Sequence, residues 1–293
     1  MIGLELDDAR VIAVRVDEAG AVEARAQEDA GGDLGAAAAR ALSQVQGSIP
    51  GLIGVAATNP ESAAVAPVVA HFALTLGAGN RRAAVLSGTA AAAAEAWVGA
   101  ARGVKDVVFF AVSQHTTGGI VQDGVALTGA RGRASSVAWL ALNPVEREDY
   151  RKTGCLEAEV AAAGIVRRII WRIKAGDRSR VQDIVKDDFS AITVDLVLEA
   201  ARNNDGVSIS VVRDTAKYLG MAAANLVVVA DPEMLVLGGI MATAADLLMD
   251  PMRTEIARRL PRPMMEALKI ETAVLGADAA AIGAARLVAA ALP

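Results

Sequence analysis

Aromatic residues are scarce in this 293-residue chain: three Trp, two Tyr and four Phe, or 3%. Yet 54% of the residues are hydrophobic. The core must therefore be packed from Ala, Val, Leu and Ile, small side chains that let helices lie close on a sheet. Cysteine is rarer still. Cys155 stands alone, so no intrachain disulfide can form and a disulfide-stapled secreted scaffold is excluded. Long basic blocks are missing, and the formal net charge is -5. The densest basic cluster, Arg167, Arg168, Arg172 and Lys174, recurs at helical spacing and suits a solvated helix face. There is no C-x-x-C…H finger, no arginine-rich arm and no winged-helix segment before the first strand, so nucleic-acid binding is not expected. Met1 to Asp8 holds three acids and no basic n-region, and does not read as a signal peptide. The longest uncharged run, Ser62 to Asn80, contains Pro67, His71 and two glycines and reads as internal structure, not a membrane span. A cytoplasmic location is the default expectation.

The chain opens with two β-like runs, 2–6 and 11–16, and a third over 22–26, separated by the turns 7–10 and 17–20. Alternation in the second run suits a half-buried strand. This is an antiparallel meander. Residues 33–46 read as a helix, with Asp33 as N-cap and Gly47 as C-cap. Strands are expected at 52–57 and 83–86, then an Ala-rich helix at 89–99. About a hundred residues on, a second strand–turn–strand opening follows: 107–112, 118–121 and 125–127, with Asp123-Gly124 as a turn signal. Helices are expected at 156–174, 189–201, 209–229, 246–259 and 279–292, and strands at 234–237 and 270–275. Gly283 marks close helix packing, and Pro261 and Pro263 bracket an irregular connection. The order indicates mixed sheets covered by helices in an α/β protein.

Four segments carry a resemblance to a known family: Glu95 to Gly103 (EAWVGAARG), Asp231 to Gly239 (DPEMLVLGG), Asp278 to Ala285 (DAAAIGAA) and Gly154 to Glu157 (GCLE). In this order and spacing the chain resembles the repressor–ORF–kinase (ROK) family of sugar kinases and regulators, over nearly its whole length. The resemblance implies a two-domain actin-like ATPase or hexokinase-type (ribonuclease H-like) fold, with ATP and sugar in the cleft between domains. The boundaries it suggests are 1–105 plus the closing helix 279–293, and 106–278. It also implies a homodimer.

Matched residue by residue, the family's chemistry has been rewritten. Its catalytic base, an Asp, falls at Ser87, which has no useful basicity near neutral pH. Its first phosphate turn, Asp-Ile-Gly-Gly-Thr, matches Glu5-Leu-Asp7-Asp8-Ala9, with carboxylates where glycine amides would meet phosphate. Its second phosphate turn matches Ser113 to Gly119, including His115, Thr116, Thr117, Gly118 and Gly119. The sugar-holding Glu and the zinc-binding His fall at Ser136 and Trp139. The three zinc cysteines fall at Glu148, Tyr150 and Cys155, so no structural zinc is expected. Gly238 and Gly239 match the adenosine-side turn. The sugar side of the cleft is expected to be narrower or filled.

These losses point to a catalytically inactive relative without a nucleotide cofactor. Such a protein would bind a small metabolite or serve a protein partner. The alternative is an ATP-dependent sugar kinase using displaced acids, Glu5, Asp7, Asp8 and Asp123, with Mg²⁺ and ATP.

Overall fold

A computed structural model of the chain describes residues 1–47, 52–75 and 84–290. Residue Ala83 of the expected strand, positions 76–80 of the uncharged run and the end of the closing helix from 291 lie outside the described residues. The first half runs β1 (Ile2–Leu6), β2 (Arg10–Val16), β3 (Val22–Asp29), α1 (Leu34–Val45), β4 (Ile53–Ala57), α2 (Val65–Thr75), β5 (Val85–Leu86) and α3 (Ser87–Trp97). The second half begins with β6 (Val107–Val112), β7 (Thr116–Gln122) and β8 (Val125–Ala126). Then come α4 (Glu148–Thr153), α5 (Cys155–Val160), α6 (Ala162–Lys174), α7 (Arg180–Val185), α8 (Val194–Arg202) and α9 (Gly206–Ala230). The chain closes with β9 (Met234–Gly239), α10 (Ile240–Thr243), α11 (Ala245–Ala257), α12 (Arg262–Ala267), β10 (Lys269–Thr272) and α13 (Ala279–Ala290).

Two five-stranded sheets share one plan. The first has the order β3-β2-β1-β4-β5, and the second, read from its β8 edge, is β8-β7-β6-β9-β10. In both, an antiparallel meander is followed by parallel strands. The repeat visible in the sequence is therefore a repeat of topology. It places the β1–β2 and β6–β7 turns at equivalent positions of their sheets.

Small residues set the packing. Leu4, Leu6, Val11 and Ala13 face α1, while Ile12, Val14 and Val16 face α13 and α3. A Cβ at Gly3 or Gly54 would fall on the backbone of Ala281 or Ala284, so α13 rests directly on β1 and β4. Gly283 meets Ala90 of α3 in the same way. Helix α3 is enclosed from Ser87 to Glu95 and contributes to clusters on both sheets. Only an alanine helix fits there, since larger side chains would push the layers apart. Glu95 closes this joint. Its Oε1 accepts the backbone N–H groups of Val274 and Leu275 at 3.1 and 3.0 Å, and its Oε2 that of Ala100 at 2.7 Å.

Several elements depart from the sequence pattern. The expected helix 156–174 is two helices, because Ala161 is extended and Ala162 N–H leaves the helix ladder for Ser113 O at 3.0 Å. Residues 189–201 likewise split at Thr193, which caps α8. Gly47 is not a helix cap; α1 ends at Gln46 in an extended conformation. The connection at Pro261 and Pro263 is the short helix α12, since proline is tolerated in a first helical turn. Helices α2, α4 and α7 gave no clear periodicity in the sequence. Asp33 does cap α1, accepting from Ala36 N–H at 2.9 Å.

Candidate functional site

A cavity of about 860 Å³ opens between the two halves. Its walls are the loop after β4, the start of α3, the β6–β7 turn, the 128–139 loop, and the α4–α5 junction. The sugar side was expected to be narrower or filled; the cleft is open along these walls. Arg133 and Glu61 pair across it, joining a loop of each half.

The β6–β7 turn carries His115, and the start of β7 carries Thr116 and Thr117, into this cavity. Glu157, on α5, reaches the same turn. Its Oε2 accepts the Thr116 N–H at 2.7 Å, and its Oε1 lies 3.4 Å from His115 Nδ1. This hydrogen-bonded contact raises the His115 pKa above its ordinary value, against the opposing effect of partial burial. Asp7 and Asp8 of the β1–β2 turn raise it further. Asp8 lines the cavity. Asp7 is turned on its own loop, where Oδ1 accepts the Ala9 N–H at 3.1 Å.

Three buried hydroxyls in the described residues lack a hydrogen-bond partner: Ser87, Thr116 and Ser135. All three line this cavity. Ser135 also holds a left-handed backbone, φ 63°, a strained state for a non-glycine residue. Orphaned polar atoms grouped around one space mark a place where a ligand or water completes the bonding. Ser136, the residue aligned with the family's sugar Glu, does not share this property. Its hydroxyl donates to Arg133 O at 2.8 Å. The adjacent serine and Glu157 were not singled out from sequence; the GCLE segment was the available signal for Glu157.

Glu5 stands behind Ser87. On β1, Leu4 and Leu6 point to the α1 side, so Glu5 points with Gly3 toward α13 and α3. It is deep but not sealed. Burial pushes its pKa up to about 7; the neighbouring Ser87 hydroxyl and Arg10 pull the other way. Ser87 thus lies against the carboxyl without a well-aligned hydrogen bond. Ser87 also opens α3, whose first turn has no side-chain cap and faces the cavity.

The matched glycines have packing duties. A Cβ at Gly119 would fall on the Gly88 carbonyl and Ala92 and separate α3 from β7, whereas one at Gly118 would collide with the Val137 side chain of the 128–139 loop. Gly118 still borders the cavity. Gly238 and Gly239 end β9 and lie outside that lining; Gly239, at φ 61°, abuts the Val112 backbone.

The zinc-associated positions do not fit a metal. Glu148 is exposed and pairs with Lys152. Tyr150 donates its hydroxyl to buried Glu159, which also pairs with Arg147 and Arg167. Asn143 completes the knot by donating to Tyr150 Oη at 3.1 Å. The phenol is pushed up to about 12, mainly by burial, then by Glu159. Among the described residues no group of three His, Cys, Asp or Glu could hold a metal ion. Tyr150, one of the positions the resemblance matched to a zinc cysteine, is instead tied into this hydrogen-bonded knot. Trp139, matched to a zinc ligand, instead exposes its indole to the cavity.

Two mixed sheets of one topology, flanked by helices and meeting at a polar cleft, define the actin/hexokinase-type fold. The ROK family profile matches residues 51–291, and the chain belongs to that family. A glucokinase of Halalkalibacterium halodurans is 34% identical over 201 residues, 68% of this chain and 60% of the relative. A xylose repressor of Caldicellulosiruptor bescii is 27% identical over 202 residues, 68% of this chain and 50% of the relative. The chain thus spans between half and about three fifths of these curated relatives. A ROK family glucokinase from Streptomyces griseus, solved with glucose and AMPPNP, superposes with a TM-score of 0.80 at 21% identity and covers 98% of both chains. That complex corrects the expectation that this scaffold carries no nucleotide. No helix among the described residues is long and apolar enough to cross a membrane.

Proposed function

We propose that the protein binds a sugar in the cleft and transfers a phosphoryl group from ATP to one of its hydroxyls. The cleft would lie between domains 1–105 with 279–293, and 106–278. The observation that carries this reading is the ring of unpartnered hydroxyls on Ser87, Thr116 and Ser135 around one cavity. A polyol supplies matching donors and acceptors, and Glu157 and His115 add an ionic pair to the same wall.

The displaced base is Glu5 acting through Ser87. The attacking sugar hydroxyl passes its proton to Ser87 Oγ as Ser87 passes its own to Glu5. The sugar oxygen bonds the γ-phosphorus, and ADP leaves with the broken bond's electrons. A carboxyl with a pKa near 7 suits this task, because a base works best when its pKa lies near the operating pH. The N-terminal end of α3 favours negative charge on the attacking oxygen. Asp8 fronts the cavity with its carboxylate free of the ion pairs that engage Glu61 and Glu157, and it would hold the Mg²⁺ that accompanies the nucleotide.

A second reading is a sugar-binding protein that does not transfer phosphate. It is favoured by the two turns that should hold phosphate, whose amides are engaged: Ala9 N–H by Asp7 and Thr116 N–H by Glu157. The separating experiment supplies MgATP and a panel of hexoses and N-acetylhexosamines, following ADP release, with calorimetry in parallel. Phosphorylation by the wild type, reduced at least 100-fold in Glu5→Gln and in Ser87→Ala with sugar binding retained, supports transfer. Sugar binding without ADP release selects the second reading. No binding of any sugar sinks both.

A further inference from the structure

We infer that Trp139 forms a ring-stacking subsite at the mouth of the cleft, so that the ligand is a sugar with a second ring, a disaccharide or an aryl glycoside. This rests on the sugar-binding reading above and extends it from the polar floor of the cavity to its rim.

Exposure along the cavity wall runs from closed to open. Ser87 and Thr116 are 3% and 5% exposed, and the Glu157 side chain 14%. Trp139 is 57% exposed, beside exposed Ser136, with exposed Arg131 also on the wall. A single pyranose seated on the buried hydroxyls satisfies the floor and leaves the indole in water. A cavity of about 860 Å³ sits near the upper end of the roughly 300–1,000 Å³ found for pockets that enclose drug-sized ligands. It has room for more than one ring.

The backbone that carries the indole is pinned on both sides, although the side chain contributes little to the core. Its turn is held by Trp139 N–H to Ser136 O at 3.1 Å and Leu140 N–H to Val137 O at 3.0 Å. Val137 is buried and seated on Gly118. From the other side, Gly154, at φ 94°, presses on the Ala138 carbonyl, where any side chain would collide. A fixed backbone presenting an exposed aromatic face offers a ring partner apolar contact at low entropic cost. The other two tryptophans are placed differently. Trp97 packs beside the α13 layer under Arg286, and Trp171 lies on α6 away from the cavity. The apolar C–H face of a pyranose, or a phenyl aglycone, matches the indole face, while the first ring keeps its hydroxyls for the floor.

The test measures binding of glucose, mannose and N-acetylglucosamine, of their phenyl glycosides, and of maltose and cellobiose, by calorimetry and tryptophan fluorescence. At least one two-ring ligand should bind about three- to tenfold tighter than its parent sugar. Trp139→Ala should remove that preference and leave the parent affinity unchanged, and Trp139→Phe should restore most of it. Trp171→Phe should change nothing. Equal affinity for one-ring and two-ring ligands overturns the subsite and leaves sugar binding standing. So does a Trp139→Ala loss that falls equally on both ligand classes. Failure of every sugar to bind at tens of millimolar overturns the subsite together with the sugar reading.

Discussion

Glu157 Oε2 accepts the backbone N–H of Thr116 at 2.7 Å, while its other oxygen faces His115 at 3.4 Å. One carboxylate therefore fixes the β6–β7 turn and sets the charge of its histidine. Glu157→Gln should weaken sugar binding at least tenfold by calorimetry. It should also return the His115 pKa toward its ordinary value, read from the imidazole proton shifts by NMR titration. The sign follows from the raised pKa of His115. The stabilisation it gives is complete below the unfolded pKa of about 6.5 and fades as pH rises through the raised folded value. Because the imidazole is partly exposed, this contributes no more than about 1 kcal/mol.

Glu5 titrates in the same direction for a different reason. Burial raises its pKa from 4.5 to about 7, so the protonated form is the one the fold favours. Its contribution to stability is full below about pH 4.5 and is lost as pH rises through 7. The shift corresponds to roughly 3 kcal/mol. Glu5→Gln, which stays neutral, should therefore gain stability relative to wild type on going from pH 5 to pH 8, in denaturant unfolding. A constant difference across that range would contradict the raised pKa.

Glu95 is a structural acid, with no place in the cavity lining. It satisfies three backbone N–H groups, two of them about 180 residues away. Glu95→Ala strands those donors at the joint between α3 and the segment after β10. The expected loss is about 2–4 kcal/mol, and the melting temperature should fall by roughly 5–10 °C.

Gly54 tests the alanine-and-glycine packing. A methyl group there would occupy the Ala284 carbonyl of α13. Gly54→Ala should cost about 1–3 kcal/mol in thermal unfolding, since the helix must lift from β4. A neutral outcome would mean that α13 rides higher than described.

Much of this architecture was legible in sequence. The two meanders, the capped helix after Asp33, the alanine helix and the buried strand before Gly238 each carry a local signal: alternation, an N-cap, helix propensity, an apolar run. What was missed is non-local. The break at Ala161 exists because Ala162 N–H reaches Ser113, an acceptor some fifty residues upstream. Ser135, not Ser136, carries the unpartnered hydroxyl, because the left-handed backbone at 135 turns that side chain inward while its neighbour bonds to Arg133 O.

The sequence alone determined the composition of the core, the order of the strands, and the departure of the motif positions from the family's glycines, aspartates and cysteines. Those depend on residue identity and spacing along the chain. The tertiary structure decided that Gly119 lets α3 approach β7 while Gly118 seats Val137, that Tyr150 is tied to buried Glu159, and that Glu5 lies against Ser87 with a raised carboxyl pKa. Burial and the pairing of distant groups set these properties, and neither exists until the two sheets have closed around α3.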